Sequence, residues 1–495
     1  MINLKEPFSL NLLIPVVFAV VILTFIACPA TAAPVHTHQW GEWTQIVYPG
    51  TEERVCKTDQ SHIEHRLTGT DRFSFEPATS TSYRVRKGTL TSGEVYIPAY
   101  YRPSTDSSYF PVTEIGGLSD KWEDSAFRST TITSVHIPDT VTSIGICAFT
   151  HCGSLTSITI PASVITIGNN AFTSCANLAT VIFTDGSRLE TIGEVAFQFC
   201  ESLTSITIPA SVRSIGGFAF QSCHNLTAIE IPAGITTIGN GVFHFCDNLS
   251  TITIPAGVTS IGDFAFSRCT GLTDITIPAS VTQIGEGAFS GCRNLTEIII
   301  PASATEIGKD AFSGCRSLTE IIIPTSVTEI GKGAFSGCIG LTTITISAGV
   351  RSIGDVAFSA CTGITGITIP ASVTEIGESA FASCANLATV TFTDGSRLET
   401  IGDDAFSSCR SLTSVTIPAS VTEIGKGAFR ECTSLASITI PASVTYIGWD
   451  VFYGWGYSQT IYVQGHASEV AADAAWGTDW WRDDCDAKIV YQGGR

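Results

Sequence analysis

The chain has 495 residues and carries 45 acidic against 26 basic side chains, a formal charge of −19. Repulsion between like charges disfavours nucleic acid and anionic membrane surfaces as partners, and 44% hydrophobic residues exclude an unfolded chain. With 45 glycines, one methionine and only 14% charged residues, the composition reads as β-rich or repetitive rather than as a set of helical domains.

From Leu10 to Ala27 the sequence LNLLIPVVFAVVILTFIA is apolar except at Asn11 and Thr24, and the small residues CPATAAPV follow. This is the pattern of a secretory signal peptide cut after Ala32 or Ala33, so residues 1–33 are assigned to it. Two alternatives stay open. Phe25-Ile26-Ala27-Cys28 resembles a loose lipobox that would lipidate Cys28, and 18 apolar residues just suffice for an uncleaved anchor. In each case the rest of the chain is exported, and the membrane is met only through this N-terminal segment.

Residues 34–70, HTHQWGEWTQIVYPGTEERVCKTDQSHIEHRLTG from His36 onward, make a small His/Trp/Cys module. It resembles a module found near the ends of some bacterial surface proteins, in which HxWGxW spacing recurs. His36, His38, Cys56, His62 and His65 are the weak candidates for a zinc site, because imidazole and thiolate suit that ion. Their spacing fits no known finger and a second cysteine is missing, so they are read as surface residues, with no metal and no cofactor.

Residues 71–128 hold FSFEPATSTSYRVRKG and EVYIPAYYRPSTDSSYFPVTEIGG, a degenerate coil with insertions that regains its pattern at Ser125-Ala126-Phe127. This stretch is expected to cap the N-terminal end. From 129 to 455 one pattern repeats: phenylalanine recurs from Phe149 to Phe452 at spacings of 23 residues, except two of 25, in the frame CxxLTxIxIPASVTxIGxxAFxx. In Leu203 to Pro209 apolar residues alternate with small polar ones, the period of a strand with one buried face, so Leu203, Ile206 and Ile208 point inward. Pro209 ends that strand because it cannot donate to a ladder. A second extended edge returns Val212 and Ile215 to the core, Gly216 permits a bend, and a turn or single helical turn delivers Phe220 inward. Each repeat is one coil, too small to fold alone, and stacking supplies its stability. The expected fold is a capped, curved solenoid of about fifteen coils with a parallel sheet on its concave face. Residues 456–495 read as a strand, a short helix opened by Ser468 and a last strand, with Trp476, Trp480 and Trp481 covering the final coil.

The repeat, written here as IPASVTEIGKGAFRECTSLASITIP from Ile417 to Pro441, resembles the leucine-rich repeats of the BspA-like family of bacterial surface proteins. The match runs from about Thr91 to Tyr457. The resemblance implies a curved leucine-rich repeat solenoid at the cell surface that adheres to host or microbial partners, and it implies no catalytic activity.

Two copies carry a two-residue insertion in place of the proline, FTDGSRLETIG at Phe183 to Gly193 and again at Phe392 to Gly402. The repetition points to block duplication, and the DGS turns read as tolerated surface insertions, with a recognition loop as the alternative. Of 17 cysteines, thirteen from Cys152 to Cys432 stand three residues after the repeat phenylalanine. They form a ladder whose odd count cannot pair completely, and buried free thiols are expected. No nucleophile elbow, zinc-protease or phosphate-loop motif occurs, so no enzyme is expected.

The outward strand positions are mostly Ser or Thr. Glu230, Asp274, Glu297 and Glu320 read as an acidic row, with Ile299 and Ile322 replacing threonine beside it. An apolar pair within a polar sheet is a candidate interaction patch. The sequence therefore suggests an exported surface protein that binds extracellular protein or glycan partners, in host matrix or on other microbes. The alternative is a structural or assembly component of the envelope without a dedicated ligand.

Overall fold

The computed structural model describes residues 44–45, 51–55, 63–67, 73–103, 108–117, 126–481 and 484–493. One compact unit, lying within residues 1–66, contains the antiparallel strands Thr44–Gln45 and Thr51–Val55 and all but the last residue of Ile63–Leu67, the third strand of the same sheet. The other unit holds the repeats. Among the described residues no helix is long and apolar enough to cross a membrane.

The repeat unit is a parallel-sheet solenoid. Each coil places two strands in two separate ladders. In Ser157–Ile160 the hydroxyl residues face solvent and Ile158 and Ile160 are buried, which is the alternation that a half-buried strand requires. A turn follows in which the Pro161 carbonyl accepts from Val164 N–H, so the proline closes the turn as well as stopping the strand. Thr166–Ile167 then makes the second edge, pairing in register with Ser143–Ile144 before it and Thr191–Ile192 after it. The short edges build the longer sheets, one of ten strands from Thr237–Ile238 to Tyr446–Ile447. The longer strands pair in groups of two or three.

Gly216 was expected to permit a bend, but its φ does not lie in the left-handed region. A Cβ there would strike the backbone nitrogen of Glu194, and at Gly168 a Cβ would lie 2.8 Å from the Gly145 carbonyl carbon and the Ile146 nitrogen. The glycine row is required by close approach of successive backbones. Left-handed residues occur elsewhere, two per coil, on either side of the inward phenylalanine: Phe218 (φ 57°) and Ser222 (φ 56°) around Phe220, Gly287 (φ 57°) and Gly291 (φ 73°) around Phe289. The segment is a turn, not a helical turn, and its alternating conformation aims N–H groups at the next coil. Phe218, Phe220 and Ser222 donate to the carbonyls of Asn240, Val242 and His244.

Inside, the phenylalanines stack without interruption from Phe127 to Phe452, successive centroids lying 5.2 to 6.4 Å apart. The cysteine row runs beside them as free, buried thiols. Each of the thirteen donates its S–H to the carbonyl of the phenylalanine one coil earlier, at 3.0 to 3.3 Å. Thr130 opens the row and Trp455 closes it.

At the N-terminal end the hairpin Ser74–Thr79 and Ser82–Arg86 joins the short-edge ladder through Phe110–Ile115, and Arg84 grips Glu114 at 2.6 Å. At the other end Thr460–Gln464, the helix Glu469–Trp476 and the strand Lys488–Gln492 match the expected order. Ser468 caps the helix by accepting from Ala471 N–H. Trp476 and Trp480 are buried, Trp480 standing edge-on to Phe452. Asp479 and Asp484 offer carbonyls to the N–H groups of Asp450 and Gly454, the role a further coil would have played.

Candidate functional site on the strand face

The strand face is set by alternation. In Glu297–Ile299 and Glu320–Ile323 the middle isoleucines, Ile298 and Ile321, are buried, which turns Glu297, Ile299, Glu320 and Ile322 to solvent. Ile299 is 69% exposed and Ile322 54%, in a row where neighbouring coils hold Thr276 and Thr345.

Register sorts the outward residues into two columns. Asp274 pairs with Glu297, and Thr276 with Ile299, while Glu320 pairs with Thr343 and Ile322 with Thr345. The acidic column is therefore Asp274, Glu297 and Glu320. Glu230 does not belong to it, because it pairs with Thr207 and Thr253 and so stands in the isoleucine column. It lies three coils before Ile299, on the order of 14 Å at the usual strand spacing. The residues brought together are Asp274, Glu297, Ile299, Glu320 and Ile322.

Carboxylates on adjacent rungs, about 5 Å apart at the backbone, repel one another. Among the described ion pairs none neutralises Asp274, Glu297 or Glu320, and the nearest support is Thr273, whose hydroxyl donates to Asp274 at 3.1 Å. The patch thus combines two exposed aliphatic side chains with uncompensated negative charge. Ile182, outside the residues singled out above, is 49% exposed on the same outward row of its own coil. The signal was present, since Thr391 stands at the equivalent position of the duplicated copy.

The thiols in the middle of the row are sealed from such chemistry. Burial pushes Cys223, Cys292 and Cys338 up to about 12, far from a reactive thiolate. Of the weak zinc candidates, His65 falls within the strand Ile63–Leu67, and His36, His38, Cys56 and His62 lie outside the described residues, as does Cys28.

Two ladders of short parallel strands, one buried phenylalanine per coil and a hydroxyl-lined outer face define a leucine-rich repeat solenoid. The sequence model of the BspA type leucine rich repeat region matches residues 120–250, 236–365 and 351–475, and the chain belongs to that family. A leucine-rich repeat protein from Bacteroides ovatus is similar at 28% identity and TM-score 0.67, over 85% of this chain and 98% of that one. A leucine rich cell surface protein from Faecalibacterium prausnitzii shares 27% identity over 87% of this chain and 95% of its own, with TM-score 0.45. No curated protein matches the sequence.

Proposed function

We propose that the chain is an exported cell-surface interaction protein, an adhesin, that holds extracellular protein or glycan partners on its strand face. The observation that carries this reading is the exposure of Ile299 and Ile322 on adjacent coils, flanked in their row by Thr276 and Thr345. Covering each of them would contribute about 1.5–3 kcal/mol, which a solitary solenoid forgoes. The acidic column beside them selects against anionic partners and favours surfaces that bring basic groups. Membership of the BspA type family and the leader-like segment before Pro34 support a surface location.

The reading is tested by capturing matrix proteins and neighbouring microbes with residues 34–495, then repeating the capture with Ile299→Thr, Ile322→Thr, Glu297→Thr and Glu320→Thr combined. Threonine is native to these columns at Thr251, Thr253, Thr343 and Thr345, so the fold is expected to persist. Binding should fall for partners of this face. Unchanged binding to every captured partner would sink the reading.

A further inference from the structure

A cleft of about 530 Å³ lies between the coil of the second insertion and the next, three coils beyond Glu320 and separate from the isoleucine patch. Strand Thr389–Phe392 pairs over all four residues with Gly366–Ile369 on one side. On the other side it pairs only through Thr389 with Ser414 and Val390 with Val415, because strand Ser414–Val415 is two residues long. That ladder stops after Val390, and the cleft lies beside the unpaired Thr391 and Phe392, just before the DGS turn.

Its lining is chemically narrow. Thr391, Thr393, Ser414 and Thr416 present hydroxyls, Phe392 and Pro418 supply apolar surface, and no lining residue is charged in a chain of net charge −19. Thr391, Ser414 and Thr416 are exposed, and none of the four hydroxyls takes part in a hydrogen bond within the protein. A ligand that matches this lining must be neutral, must both donate and accept hydrogen bonds through many small groups, and must offer an apolar face to Pro418 and the exposed edge of the partly buried Phe392. Anions and cations would find no counter-charge, and a purely apolar ligand would strand the hydroxyls. These requirements describe a sugar ring with its hydroxyl edge and C–H face.

We propose that this cleft binds a neutral saccharide. The block duplication carries the same lining to the first insertion: of twelve cleft positions, ten recur 209 residues earlier, and the two that differ are Ile182 for Thr391 and Ile206 for Val415. Only Ile182 removes a hydroxyl, and it is 49% exposed. The second copy therefore has the fuller hydrogen-bonding set and is the site assigned.

The test uses the full chain with maltotriose, cellotriose and N,N′,N″-triacetylchitotriose as neutral probes and sialyllactose as the anionic one, read by saturation-transfer NMR and calorimetry. At least one neutral probe is expected to bind, sialyllactose less well. The double variant Thr391→Val with Thr416→Val, which deletes two hydroxyls and keeps β-branched side chains, is expected to weaken that binding about tenfold with the unfolding midpoint unchanged. Ile299→Thr with Ile322→Thr is expected to leave it unaltered, so failure here and failure of the strand-face reading are separate results. The proposal is overturned if no neutral probe binds at millimolar concentration, if the valine variant binds as the parent does, or if sialyllactose binds equally well.

Discussion

Trp455 donates its indole N–H to the carbonyl of Phe429 at 3.0 Å, the bond that a cysteine thiol makes in each of the thirteen coils before it. The substitution keeps the donor and enlarges the side chain where no further coil follows. Trp455 is buried, against Phe452, at the boundary between repeat and cap. Replacing it by phenylalanine deletes the donor and leaves a smaller ring. The expected loss is about 1–3 kcal/mol, read as a lower urea midpoint.

The thiol row makes stability depend on alkaline pH. Burial holds Cys223, Cys292, Cys338, Cys384 and Cys432 at about 12, against an ordinary value of 9.0. The unfolded chain releases these protons first, so between the two values it binds fewer protons than the native state, and stability falls as pH rises. The contribution is complete below ~pH 9 and lost through ~pH 12. Urea midpoints measured from ~pH 8 to ~pH 11 should decline, and less steeply in a variant with several row cysteines changed to alanine. Thiol reagents should modify the row only after denaturation.

Gly168 tests the close-approach explanation of the glycine row. Its backbone is not left-handed, so alanine would be acceptable there but for the preceding coil, whose Ile146 nitrogen lies 2.8 Å from the added methyl. Gly168→Ala is expected to destabilise by about 1–3 kcal/mol in chemical denaturation, while Gly186→Ala, with open space around it, suffers only its left-handed backbone penalty of about 1 kcal/mol.

Val195 occupies a left-handed position at φ 59°, where the neighbouring coil has Asn170. A β-branched residue is strained in that conformation and asparagine is not. Val195→Asn should therefore raise the unfolding midpoint, by about 1 kcal/mol of stability. A fall would show that the valine side chain contributes more through packing than its backbone costs.

Much of this architecture was legible because the period converts local pattern into stacking. Phe220 and Cys223 recur every coil, and a residue that recurs in a solenoid must meet its own copy, so the buried columns followed from counting. Two features were harder. In sequence the glycine row reads as a set of bends because glycine has two physical uses, freedom of φ and absence of Cβ, and only the folded backbone distinguishes them. Glu230 was grouped with Asp274 because both are acidic and outward, yet the offset from Glu230 to Ile299 is a whole number of periods and that from Glu230 to Asp274 is not. The left-handed sites had a visible trace in Asn170, Gly287, Asp310 and Gly333, residue types that tolerate positive φ. The cleft could not be read at all, since it arises from where a ladder stops.

The carbonyls of Asp479 and Asp484, offered to Asp450 and Gly454, decide where the stack of coils stops. Every earlier turn hands its amide donors to a successor, and a chain cut before Thr478 would present those donors to water, ready to accept the edge of another molecule. The segment around Asp479 and Asp484 thus acts as a terminator of the repeat. It closes the repeat ladder against edge-to-edge pairing at this end of the solenoid.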